Sequence, residues 1–440
     1  MTYKFIRTND GYSEKEFHDF YKMVDELILL SIEKGLTNFD EILLSLPSIY
    51  PSVVLNRLTD LVARGKASEQ LAIKARKFVR SGESNISSTP KKHGQSYEFD
   101  QLPTPHPLDF EWRFADKAID HLLGKALEIT TDQDVIALFG VPSVFWRAMQ
   151  KGFPRRIVLF EKNKAVLEFL ANQCVPNDQI FKCNLLCDQL PSLSINVVIC
   201  DPPWYPECIR SFLWSASQFC KLDCHLLLCT PPIGTRPMVN RDWQATINWT
   251  EMLGFNLIEM QESSLPYISP HFERNALKAE GLPKVPREWR RADLAVFLRT
   301  QINYVPRPFS SIDFEEWDEA SSGGTRFRLR LKGNAQIFSN PCLETIIPGD
   351  ILPSVSRLDK RRFEADVWTS GNRIFRCSNT RLLKVLIQAL DAEQPPLFQL
   401  SKNLECSLTA SGYDLVNQAL NQIILITNLE KIESSYYEAD

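Results

Sequence analysis

An acid, two prolines and two aromatic residues follow directly on an apolar run in Val197–Tyr205, VVICDPPWY. Proline cannot donate to a sheet ladder and restricts the residue before it, so a buried strand has to stop at Asp201. Such a strand end holds out a carboxylate, stiff carbonyls and flat rings, which are the parts needed to pass a methyl cation to an exocyclic amine. The lone pair of that amine is delocalised into its ring. A carboxylate and a fixed carbonyl, each accepting one N–H, hold the nitrogen nearer sp3 geometry and aim the lone pair. Asp201 and the Pro202 carbonyl fill the acceptor roles, and Pro203 stiffens the turn. Trp204 supplies a stacking face for a flat base, with Tyr205 beside it on the substrate side. The proton can leave after transfer, so Asp201 need not remove it first.

The elements that position these groups are legible as strands alternating with helices. Apolar runs at Val135–Gly140, Arg156–Glu161, Ile180–Leu186, Asn196–Asp201 and His225–Thr230 fall within about 100 residues. That rhythm demands an α/β fold with a mostly parallel sheet and right-handed crossovers, whose ligands bind outside the carboxyl ends of the strands. Gly140, Glu161, Asn184, Asp201 and Thr230 all fall at such ends. Glu161 lies 21 positions after Gly140, placed to accept hydrogen bonds from a ribose diol; its other reading is a helix cap. The turn Phe139, Gly140, Val141, Pro142, Ser143 lacks the G-x-G-x-x-G of a pyrophosphate cradle. It argues against a dinucleotide and fits a nucleoside without phosphates, such as S-adenosylmethionine. Asn184 either binds the cofactor adenine or turns the chain. Phe145 and Trp146 read as core.

These motifs resemble those of the class I S-adenosylmethionine-dependent amino-methyltransferases, whose signature is [D/N]-P-P-[F/Y/W]. The cofactor turn precedes the DPPW run, the reverse of the permuted messenger-RNA adenine enzymes. The similarity is closer to the group that holds N6-adenine and elongation-factor lysine methyltransferases. It rests on IALFGVPSVF (136–145), VLFE (158–161), VVICDPPW (197–204) and LLLCTPP (226–232), and covers roughly residues 107–300. It implies a Rossmann-like domain, S-adenosyl-L-methionine as cofactor, and a role for Phe110–Ile119 (FEWRFADKAI), including Arg113 and Phe114, in closing over the cofactor. A winged-helix domain before a Rossmann-like domain with D-P-P also occurs in branched-polyamine aminopropyltransferases. Those carry an acidic G-D-D-type turn where this chain has the uncharged FGVPS.

The flanks are read from pattern. Residues 1–80 are expected to form a helical domain: Phe17–Glu33 repeats near 3.6 residues, Thr37–Asp40 supplies an N-cap before a short helix over Glu41–Leu46, and Pro51 opens a third that ends at Gly65. The three helices resemble a winged helix-turn-helix, with a plain helical interaction module as the alternative. Residues 81–106 read as a linker, Ser-rich over 81–98 and preceded by the basic Lys74, Arg76, Lys77 and Arg80. Residues 107–302 hold the Rossmann-like methyltransferase domain. Residues 303–440 read as an α+β accessory domain with no visible chemistry. Within the late strands, Lys284, Arg287, Arg290 and Arg291 surround Trp289. That loop suits a nucleic-acid backbone and a stacked base, or is a solvated loop around a half-buried ring.

Composition narrows the classes. A net charge of −4 gives no global attraction to nucleic acid, so such a partner must meet a local patch. No apolar run reaches the roughly 18 residues of a membrane span, and the first residues lack the apolar core of a signal peptide. A cytoplasmic protein is expected, and its eleven cysteines read as buried free thiols. The pairs Cys183/Cys187 and Cys220/Cys224 raise zinc, but lack paired ligands nearby, and no metal is expected. The reading is therefore an S-adenosylmethionine-dependent N-methyltransferase acting on adenine N6 in DNA or RNA. A protein partner through either terminal domain is possible on this reading. Protein-lysine or polyamine alkylation is the second reading, and an idle binding scaffold the third.

Overall fold

The computed structural model describes residues 13–68, 101–308, 317–330, 340–357, 359–391 and 410–438. Helices α1 (Glu14–Glu33), α2 (Phe39–Ser45) and α3 (Pro51–Ala63) come first. Their starts follow from sequence: Ser13 and Glu16 make a capping box, Asn38 accepts from Glu41 N–H, and Pro51 opens α3. The expected linker over 81–106 falls mostly in 69–100, outside the described residues, as do its basic neighbours and any wing strands after α3. Its last residues are packed and not linker-like, with Leu102 and His106 buried.

The central unit runs β1 (Arg113–Phe114), α4 (Asp116–Glu128), β2 (Val135–Phe139), α5 (Pro142–Gln150), β3 (Arg156–Glu161), α6 (Lys164–Asn172) and β4 (Ile180–Lys182). It continues through β5 (Ile195–Cys200), α7 (Pro206–Phe219), β6 (Cys220–Thr230), α8 (Val239–Met252), β7 (Phe255–Ile268), α9 (His271–Ala279) and β8 (Arg291–Arg299). The eight-stranded sheet has the order β1-β7-β8-β6-β5-β2-β3-β4. Strands β2 to β6 are parallel, as the alternation demanded, whereas β8 runs antiparallel between β6 and β7. The strand order reverses beside β2, which opens a crevice there. Helices α4–α6 pack on one face over Ile136, Leu138 and Ile199, and α7 and α8 on the other over Ala137, Phe139 and Val198. Burial on both faces is why these strands read as unbroken apolar runs.

The C-terminal unit is an antiparallel sheet, β11-β13-β12-β10-β9. Its strands are β9 (Trp317–Ser322), β10 (Thr325–Arg330), β11 (Glu344–Thr345), β12 (Val367–Thr369) and β13 (Ile374–Arg376), backed by α10 (Thr380–Asp391) and α11 (Ala410–Glu438). Residues 370–372 turn β12 into β13, as their Ser-Gly-Asn sequence suggests. The unit is tied to the central domain by polar contacts. Asp109 sits between Arg326 (2.8 Å) and Arg328 (2.5 Å). Leu108 N–H donates to His106 Nδ1, leaving Nε2 to donate to the Trp368 carbonyl at 3.0 Å. Asn275 on α9 donates to Glu433 on α11, which also pairs with Arg373.

Candidate active site

The carboxyl ends of β2, β3, β4 and β5 come together around one cleft of about 780 Å³, its solvent-open mouth included. Parallel register aligns them: Phe139 lies opposite Cys200, so the residues that follow, Gly140 and Asp201, sit side by side. Asp201 N–H donates to the Phe139 carbonyl at 3.1 Å. Gly140 has φ +70°, and a Cβ there would stand 3.0 Å from the Asp201 carbonyl oxygen and 3.4 Å from the Phe212 ring. Only glycine permits both the conformation and the approach, leaving a cradle where ligand rather than side chain can lie. Glu161 forms the next wall, then Asn184 with Leu185 and Leu186, and Cys208 and Phe212 of α7 close the far side. A carboxylate at the end of β3 followed by apolar walls and Asn184 fits a ribose with a flat base beyond it. S-Adenosylmethionine fits the residues present: Gly140 and Pro142 would hold its tail, Glu161 its ribose, and Asn184 with the apolar walls its adenine.

Asp201 is held by a partner the sequence did not reveal. Tyr267 Oη donates to Asp201 Oδ1 at 2.8 Å. Tyr267 is itself 1% exposed and stacked on Phe114, with centroids 4.4 Å apart. Burial pushes the Asp201 carboxyl up to about 8, against the Tyr267 hydrogen bond, which lowers it. Trp204 stands edge-on to Tyr267 at 5.9 Å. The Tyr205 N–H donates to the Pro203 carbonyl at 2.6 Å, which tightens the turn after the buried Pro202. Glu161 Oε1 accepts from the N–H groups of Lys162 and Asn163, each at 2.7 Å. Burial raises its carboxyl to about 7, opposed by the Asn163 hydrogen bond. It therefore caps its turn and lines the cleft at once.

Of the expected site residues, Gly140, Pro142, Glu161, Asn184, Asp201, Pro203 and Tyr205 line the cleft. Asn184 also turns the chain, its side chain accepting from Leu186 N–H at 3.2 Å. Four expected cofactor residues stand behind it instead. Phe139 is core, edge-on to Phe160 at 5.0 Å. Ser143 is buried in α5. Phe114 supports Tyr267, and Arg113 is spent on Glu111 (2.8 Å) and on the carbonyls of Leu102 and Pro103. An arginine buried in that way positions the segment over the cleft and does not reach into it.

The basic loop is the main correction. Trp289 is 1% exposed and belongs to the core made by α1–α3 with Leu277, Leu282 and Val285. It lies edge-on to Tyr50 at 5.7 Å, so no base can stack on it. Arg290 pairs with the fully buried Glu273 and lies over the rings of Trp112, Trp204 and Trp289. Arg291 exchanges backbone hydrogen bonds with Ser48 Oγ. Arg287 is partly buried, its carbonyl taken by Ser269 N–H, and only Lys284 of this set is exposed. Residues 283–291 are thus the joint between the helical unit and the central domain. An arginine-rich loop and a joint look alike in sequence when the apolar anchors, Val285 and Trp289, alternate with charge.

Two contributors, Asp109 and Arg357, lay outside what motif reading could reach. Asp109 lines the cleft together with Phe110 and Glu111, which open the segment expected to close over the cofactor. Arg357 does so from the C-terminal unit, which had been read as chemically silent. Arg357 carries no local motif, and only the packing of the two sheets brings it there. Tyr267 had one readable signal, its place at the end of a strand parallel to the others. Among the cysteines, Cys220 and Cys224 are buried with their sulfurs 2.6 Å apart, whereas Cys187 is exposed. Among the described residues no cluster of three or more His, Cys, Asp and Glu could hold a metal, and no helix is long and apolar enough to cross a membrane.

Residues 112–255 match the family described as "Probable N6-adenine methyltransferase". No curated protein matches the sequence. Among solved structures, the C9 mutein of branched-chain polyamine synthase from Thermus thermophilus is similar in fold. It shares 12% identity at a TM-score of 0.50 and covers 68% of this chain and 95% of its own. It was solved with N4-aminopropylspermidine and 5'-methylthioadenosine. The parent synthase from the same organism gives 12% identity and a TM-score of 0.47, covering 67% and 96%. With the glycine cradle, the acid at the end of β3 and the DPPW strand end on one cleft, the family match makes this chain an S-adenosylmethionine-dependent methyltransferase.

Proposed function

We propose that the acceptor is an exocyclic amine, N6 of adenine in DNA or RNA, and that Asp201 and the Pro202 carbonyl orient it. The observation that carries this reading is the Asp201 carboxylate at the carboxyl end of β5, aimed by Tyr267 at 2.8 Å and flanked by Trp204. Bound S-adenosylmethionine supplies an electrophilic methyl group. Asp201 accepts one amine N–H and the Pro202 carbonyl the other, which draws the nitrogen toward sp3 geometry and points its lone pair at the cofactor side. Tyr267 keeps the carboxylate from rotating. Trp204 offers the flat face beside the amine. After transfer the nitrogen carries the extra proton, and the carboxylate beside it accepts that proton or passes it to solvent.

A second reading is favoured by one feature. Two carboxyl groups not paired with an arginine, Glu161 and Asp201, line the cleft beside the paired Asp109 and Glu111, which suits a cationic acceptor such as an aliphatic amine or lysine side chain. The fold likeness to a polyamine synthase points the same way. The two are separated by incubating the full chain with methyl-labelled S-adenosylmethionine and separate pools of DNA, RNA, protein and polyamine. Label recovered in N6-methyladenine supports the first reading. Label in protein or polyamine with none in nucleic acid overturns it in favour of the second.

A further inference from the structure

The cleft is not complete within residues 112–255. One lip is Asp109–Glu111, the other Tyr205 and Cys208, and both are gripped by the C-terminal unit. Asp109 is clamped between Arg326 and Arg328. On the other lip the Arg357 guanidinium lies over the Tyr205 ring with Cζ 4.1 Å from its centroid. The same side chain pairs with Glu207, and the Arg357 N–H donates to Tyr205 Oη at 3.4 Å. The lips meet ring to ring, Phe110 edge-on to Tyr205 at 6.0 Å, with Phe110 held at φ +54°. A left-handed conformation is costly for an aromatic residue and persists only where its surroundings impose it.

We propose that the C-terminal sheet is a working part of the cofactor pocket, and that Arg357 is a positioning residue holding Tyr205 against the bound nucleoside. This rests on reading the cleft as the S-adenosylmethionine site. The Arg357 charge is already matched by Glu207, so the residue offers its flat face more than its charge. A pocket closed this way retains a nucleoside. Lysine at 357 would keep the pair with Glu207 but lose the plane over Tyr205, which separates the two contributions.

The test is calorimetric titration of S-adenosylmethionine into the full-length protein, its R357K and R357M variants, and kinetics at saturating cofactor. The expected result is a Kd raised about 3- to 30-fold in both variants, the range a stacked guanidinium supplies. The fall in turnover at saturating cofactor is expected to be smaller than the rise in Kd, and R357K, which keeps the pair with Glu207, to melt near wild type. Should R357M melt early, R357K decides, because it keeps the ion pair. A Kd within about twofold of wild type in R357K overturns the proposal. Wild-type protein that binds no S-adenosylmethionine would instead sink the reading of the cleft itself, so the two failures are distinguishable.

Discussion

The helical unit and the C-terminal sheet grip the same catalytic domain by opposite means. The helical unit meets it through apolar contact, with Trp289, Val285, Leu277 and Leu282 sunk into the core of α1–α3. A few hydrogen bonds lock the edges, Thr235 Oγ1 to the Pro47 carbonyl (2.9 Å) and Ser48 to Arg291. The C-terminal sheet meets it through charged and polar contacts: Arg326 and Arg328 on Asp109, Arg357 on Glu207, and Glu433 with Asn275 and His271. The two joints also serve different ends of the cleft. The apolar joint reaches the DPPW side, where Arg290 lies over Trp204 and its carbonyl accepts from Tyr267 N–H. The charged joint reaches the cofactor lips. Apolar burial fixes position without regard to pH or salt, while buried ion pairs demand their partners and respond to acid.

This contrast can be broken from either side. Trp289→Ala, which empties a fully buried site, should cost about 3–5 kcal/mol, read as a loss of melting temperature insensitive to salt. It should lower turnover while leaving cofactor affinity nearly unchanged. Asp109→Ala removes one of the two carboxylates, Asp109 and Glu319, that Arg326 and Arg328 share, at a cost of about 1–3 kcal/mol. Here the cofactor Kd should rise, because one lip of the cleft is released. If Trp289→Ala weakened cofactor binding as much as Asp109→Ala, the division of labour would be wrong.

A third change acts between the joints. Tyr267→Phe removes one hydrogen bond to Asp201, which should lower turnover about 10- to 100-fold with little effect on cofactor affinity. Because that hydrogen bond lowers the Asp201 carboxyl, the variant should also need a higher pH. In the wild type the acceptor role requires the carboxylate, so activity should climb as pH rises through about 8. Apo stability should move the other way. Asp201 (about 8) and Glu161 (about 7) hold protons that the unfolded chain releases at ordinary carboxylate values of 3.8 and 4.5. The native state therefore loses stability over that interval as pH rises. A melting curve for Glu161→Gln that keeps the full slope would contradict this.

The smallest expected effect is at the charged joint in acid. Burial alone would raise the Glu433 carboxyl, but hydrogen bonds from His271 and Arg373 hold it at about 2. Its contribution is present above the ordinary value of 4.5 and is lost as pH falls toward 2. Amide exchange should then quicken along α11 before it does along α1. Equal acceleration in both helices would remove the distinction.

The catalytic half of this account was legible because strand ends carry their chemistry in consecutive residues. Gly140, Glu161, Asn184 and Asp201 each close an apolar run, and parallel pairing leaves them nowhere to go but one edge. The helical unit was legible as helices from the repeat over Phe17–Glu33, the capping stretch Thr37–Asp40 and Pro51; the capping box at Ser13 and Glu16 that starts the first helix was not read. What could not be read was contact between units. Trp289 looked like a stacking face because its burial comes from α1–α3, more than 200 positions away in sequence. Arg357 gave no sign of reaching the cleft, since its partners Tyr205 and Glu207 stand at the start of α7, about 150 positions earlier in the chain. Arg113 was read by type, and a buried carboxylate nearby decided its use.

The central claim is that Asp201 acts on the amine and not on the cofactor. It is tested by measuring, on the same preparation of Asp201→Ala, S-adenosylmethionine affinity by calorimetry and transfer of labelled methyl to the acceptor identified for the wild type. The account predicts affinity near wild type with transfer abolished. Transfer at the wild-type rate would contradict it.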